Sequence, residues 1–98
     1  MTVQQAVLES TFHKMGYASS TDYAVKKARE ELLHELKTSS ERIDVFEKKY
    51  GMTYEEFYSR FNELTQFGLI EREDDIMDWR VEVHEIRVVE KLLTQLVS

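Results

Sequence analysis

Apolar residues recur along this chain at spacings of three and four, as they do in helices that bury one face. Val3, Val7, Leu8, Phe12 and Met15 keep that spacing and predict a first helix over about 3–15, with a short strand at 2–8 as the alternative. In "ASSTDYAVKKAREELL", Ser20, Thr21 or Asp22 can serve as an N-cap ahead of strong helix formers, so a second helix is expected to begin near Asp22. "KTSSER" at 37–42 resembles a break, yet Leu32, Leu36, Ser39, Ile43, Phe46 and Tyr50 carry the alternation straight through it. The expectation is one helix over about 22–50, roughly 43 Å long at about 1.5 Å per residue. Ser39 is small enough to mark a close helix crossing.

Thr53 and Glu56 have the spacing of a capping box and predict a third helix over about 54–67, with Tyr54, Phe57, Phe61, Leu64 and Phe67 as its core face. A last helix is expected over about 74–97, its seam formed by Ile76, Trp79, Val83, Ile86, Leu93 and Val97 and interrupted by Glu90. Val81, His84, Val88 and Leu92 form a second row beside that seam. A helix apolar on two rows needs two neighbours, and one of them could be a second chain. Gly16, Gly51 and Gly68 each follow an apolar segment, where a left-handed helix-ending residue is expected. The sequence therefore predicts an all-α fold in one domain, residues 1–98: a four-helix arrangement in which the long second helix bundles with the third and last and the first covers one end.

Composition narrows the function. The chain has no cysteine, which excludes disulfides, thiolate metal sites and cysteine nucleophiles. Its opening, "MTVQQAVLESTFHKMG", lacks the basic start and apolar run of a signal peptide, and no stretch reaches the roughly 18 apolar residues of a membrane span. A cytoplasmic protein with no membrane association is expected. Nineteen acids against thirteen bases give a net charge of −6, which serves solubility and favours basic partners over nucleic acid or anionic lipid.

Catalytic patterns are missing: no phosphate-cradling glycine loop, no Gly-x-Ser-x-Gly and no HExxH. Glu31 and His34 have the Glu-x-x-His spacing that a di-iron bundle needs twice, but it occurs once. No cofactor, metal or catalytic residue is expected, and the chain does not read as an enzyme. His84, in an apolar row, reads as a core or interface histidine.

Charge is uneven along the chain. Residues 1–29 hold Lys14, Lys26, Lys27 and Arg29 against Glu9 and Asp22, while residues 30–98 hold nine bases and seventeen acids. The four amino-terminal bases could contact DNA phosphates as a weak, mostly non-specific site. In "EREDDIMDW" at 71–79, Glu71, Glu73, Asp74 and Asp75 suit the positive end of a helix dipole, each contributing about 0.3–1 kcal/mol there. Four acids in five residues exceed what a helix start needs, and the excess suggests either plain solubility or complementarity to a basic surface. Trp79 lies on the seam, where core and interface compete; exposed beside the acids, it would be a hot spot costing about 2 kcal/mol or more to truncate.

"FEKKYGMTYEEF" at 46–57 together with "EDDIMDW" at 73–79 resembles small acidic proteins in the antitoxin position of prokaryotic toxin-antitoxin operons. That resemblance spans about residues 22–98. It implies a module that neutralises a basic toxin, a ribonuclease being one candidate, through Glu73, Asp74, Asp75 and Asp78 with Trp79 as anchor. "GYASSTDYAVKKA" at 16–28 is also similar to the turn and second helix of ribbon-helix-helix repressors, whose paired strands enter the DNA major groove. "MTVQQAV", which would be the ribbon, carries no base. The other reading is structural: a homodimeric helical bundle or adaptor, pairing through its second and last helices and without catalytic activity.

Overall fold

The computed structural model describes residues 1–96, all of whose regular structure is helical. Helix α1 spans Val3–Lys14, α2 Ser20–Tyr50, α3 Tyr54–Ser59 and α4 Leu69–Gln95, with a 3₁₀ turn at Phe61–Glu63. The last seam residue, Val97, lies outside the described residues.

Helix α2 is unbroken through Ser39 and Ser40. Ser19 caps its start by accepting from the Asp22 N–H at 3.0 Å, and Gly51, at φ 70° and ψ 26°, ends it in the left-handed conformation that costs glycine little. Ser39 is buried. The two long helices form an antiparallel hairpin. Its register is marked by Lys49 against Asp75 near the turn, Arg42 against Glu82 midway, and Arg29 against the Leu96 carbonyl at the open end.

At the turn end, Tyr50, Phe57, Leu64 and Trp79 make one buried cluster, walled by Ile43, Phe46, Met52, Tyr54, Phe61, Phe67, Ile76 and Val83. Towards the open end Val89 alone joins the fully buried side chains. The molecule is correspondingly long, 65 × 18 × 18 Å, with a radius of gyration of 20.7 Å; a compact chain of this length would have about 13 Å.

Two boundaries differ from expectation. Helix α3 stops at Ser59 instead of 67, because residues 60–67 turn tightly about the buried Arg72 guanidinium. Arg72 Nε donates to the Phe67 carbonyl at 3.1 Å, an Nη donates to the Phe61 carbonyl, and the group stacks on the Phe61 ring 5.1 Å away. Helix α4 starts at Leu69 and not at Asp74, with Gly68 as an extended N-cap (φ −62°, ψ 151°), so Gly68 opens a helix instead of closing one. Helix α1, expected to cover one end, contributes no buried residue. It is fastened at the open end, where Phe12 stacks on Tyr23 at 4.6 Å, Tyr17 meets both rings edge-on, and the Glu9 carboxylate accepts from the Ser20 N–H and hydroxyl.

Candidate functional site

The acids divide by what α2 offers them. Lys49, in the last turn of α2, reaches across the hairpin and lies 2.6 Å from both Glu71 and Asp75. The neighbouring Tyr50 hydroxyl donates to the same Asp75 oxygen at 2.5 Å. Burial, reinforced by the hydrogen bond and charge of Asp75, pushes the Tyr50 hydroxyl up to about 12. Hydrogen bonds to Asp75 and Glu71 hold the Lys49 ammonium above its usual range. Asp75 and Glu71 are therefore internal partners, and they pin the start of α4 to the end of α2.

Both shifts favour the protonated forms in the folded state. Stability they contribute is complete below pH 10, the ordinary value for tyrosine, and declines as pH rises towards 12. Thermal melts in that window should show a falling midpoint, and Tyr50→Phe should flatten the fall relative to the parent chain. An equally steep fall in Tyr50→Phe would remove Tyr50 from the explanation.

Glu73, Asp74 and Asp78 are different. All three are exposed, and none forms an ion pair among the described residues. Since α4 begins at Leu69, only Glu71 lies in its first turn. Glu73, Asp74 and Asp78 thus sit too far along the helix for its dipole to account for them.

Trp79 is fully buried. Phe46 and Tyr50 stack on it at 5.4 and 6.0 Å, Phe57 tilts against it at 5.3 Å, and Tyr54 meets it edge-on at 5.8 Å. Its Nε1 is buried with no hydrogen-bond partner among the described residues. The expected anchor is thus a core residue, unavailable on the surface of this fold. Apolar groups do stand beside the free acids: Ile70 and Met77, two helical turns apart, are exposed on the outer face of α4 with Glu73 and Asp74 between them. Neither residue belongs to the seam or to the second row read from the sequence; the available signal was that Met77 lies four positions before Val81, on the same side of the helix.

All of the net charge is at this end of the molecule. Residues 41–78 carry eleven acids and five bases, a balance of −6, and the remainder of the chain is balanced.

The candidate DNA contacts are largely engaged. Lys26 pairs with Asp22 at 3.2 Å, Lys27 with Glu30 at 3.8 Å, and Arg29 donates to the Leu96 carbonyl, while Lys14 is exposed at the end of α1. Residues 3–14 are helical, so the ribbon strand that the repressor likeness requires, and the strand alternative at 2–8, are not formed. Glu31, His34 and His84 are exposed on α2 and α4, His84 facing away from the core. Among the described residues no three potential ligands gather where a metal ion could be held, and no helix is long and apolar enough to cross a membrane.

The fold and its surface define an all-α helical hairpin with an acidic end. No family model, no curated protein and no solved structure matches this chain.

Proposed function

We propose that this chain is a protein-binding module whose acidic end engages a basic protein, and that in its narrower form it is an antitoxin masking a basic toxin, ribonucleases being candidates. The observation that carries this reading is the set Glu73, Asp74 and Asp78, exposed and unpaired around the exposed Ile70 and Met77. Unpaired carboxylates steer a basic partner and set its orientation, while the apolar pair supplies area whose burial stabilises the contact. The narrower form rests on the resemblance of residues 46–57 and 73–79 to antitoxin-position proteins. Those two segments meet in the fold, through Lys49 and Tyr50 on Asp75 and through Phe46 and Phe57 on Trp79.

Replacing Glu73 and Asp74 together by lysine should weaken capture of the basic partner from a nuclease-treated lysate at least about tenfold, equivalent to about 1.4 kcal/mol. Capture by the parent chain should also fall as salt is raised. Both substituted positions are exposed, so the helical circular dichroism should stay as it was. Unchanged capture by the double variant would overturn the assignment of this surface.

A further inference from the structure

We propose that a second copy of this chain docks antiparallel on the outer face of α4, so that two hairpins associate with their acidic ends pointing in opposite directions. Met77, Val81, Val88 and Leu92 are 56, 63, 39 and 42% exposed, although an apolar row of this length on a helix ordinarily finds a neighbour. Trp79, Glu82 and Val89 are buried on the side facing α2, and the row lies on the opposite side. No element of the described chain covers it.

Its spacing suggests what does. The four residues are separated by four, seven and four positions, which is the same read in either direction. In an antiparallel pair centred between His84 and Glu85, Met77 meets Leu92 of the second copy and Val81 meets Val88 of the second copy. Each apolar residue then faces another, as a symmetric dimer interface requires.

Area points the same way. The chain exposes 7317 Å² at a mass of 11.7 kDa, whereas a compact monomer of that mass exposes about 5,900 Å². The excess is larger than the roughly 800 Å² that each partner contributes to a standard interface. Charge selects the direction. A parallel copy would set two ends of charge −6 side by side, while an antiparallel copy puts them at opposite ends of the assembly. In the antiparallel register, Gln95 at the end of α4 in one copy lies level with Asp74 of the other, so Ile70, Glu71 and Glu73 project beyond the contact, while Met77 and Asp78 lie within it and a second copy and a basic partner compete for them.

The test is sedimentation equilibrium on the full chain, with no other protein present. A dimer is expected, and changing Val81 and Val88 together to glutamate should weaken its association at least about tenfold without loss of helical circular dichroism, since both side chains point outward. The chain has no cysteine, so direction can be read by oxidation. A mixture of Met77→Cys and Leu92→Cys chains should form a mixed disulfide, and neither variant should link to itself. A monomer at about 1 mM, where any association worth about 4 kcal/mol or more would show, would overturn the proposal. So would a dimer indifferent to the glutamates, or self-linking of Met77→Cys, which signals a parallel pair. A basic partner plays no part here, so failure would leave the acidic-end reading standing.

Discussion

Trp79→Ala should cost about 3–5 kcal/mol, the range for emptying a large aromatic from a closed core, and lower the melting temperature by roughly 15–30 °C for a domain of this size. Few substitutions here should do more, because so little of the chain is buried. Tyr50, Phe57 and Leu64 share one cluster with Trp79, and Phe46 and Tyr54 close over its ring. Removing the indole withdraws the surface on which α2, α3 and α4 meet. With a total stability of about 5–15 kcal/mol typical of such domains, the variant should be marginally folded at 37 °C. Because this is the chain's sole tryptophan, its emission in the parent should be blue-shifted and resist quenching by iodide. Trp79→Phe should retain most of the stability and all of the partner binding, since the residue stands behind the binding surface. Loss of capture by a folded Trp79→Phe chain, with its melt unchanged, would return Trp79 to the anchor role.

Helical periodicity made the long elements legible. The alternation from Leu32 to Tyr50 runs through "KTSSER", and α2 is unbroken there with Ser39 buried. Thr53 was readable as a cap because its hydroxyl chemistry is local, and it accepts from the Glu56 N–H at 3.3 Å. The start of α4 was not readable in the same way. Gly68 caps through backbone conformation alone, with no side-chain bond to announce it, while the run of acids five residues later imitates a helix start. The end of α3 misled for a related reason: Phe57, Phe61, Leu64 and Phe67 point inward whether the backbone continues as helix or turns about a guanidinium. Only the tertiary partner, Arg72, decides between the two.

The candidate site was partly legible. Its acids were found from charge density, but density could not say that Lys49 and Tyr50 would claim Asp75 and that Lys49 would also claim Glu71, since those contacts close across 22–26 residues of chain. Its apolar members, Ile70 and Met77, lie off the seam of α4, and nothing in their spacing says that no other helix covers them. The row through Val81, Val88 and Leu92 was visible as a second stripe. Its exposure follows from α2 being the only long helix among the described residues that pairs with α4, a matter of topology and not of any one residue.

Arg72→Met should cost about 2–4 kcal/mol, although the substitution conserves much of the side-chain length. The guanidinium is buried and joins two carbonyls of the same turn, Phe61 and Phe67, while its face covers the Phe61 ring. Methionine can fill the space and keep the ring contact, but it leaves both carbonyls without this donor. Lysine should rescue little, because one ammonium cannot reproduce a planar fork that serves two acceptors. Residues 61–67 should accordingly exchange their amide hydrogens faster in both variants, while protection across the middle of α2 should persist until the hairpin itself opens. The consequence for function is indirect and separable. Arg72 ties the turn to the first part of α4, where Ile70, Glu73 and Asp74 stand. Partner capture should therefore weaken in Arg72→Met at temperatures where α2 and α4 remain helical, even though no surface group has changed. If capture followed the global melt alone, the turn would be supporting stability without positioning the acidic end.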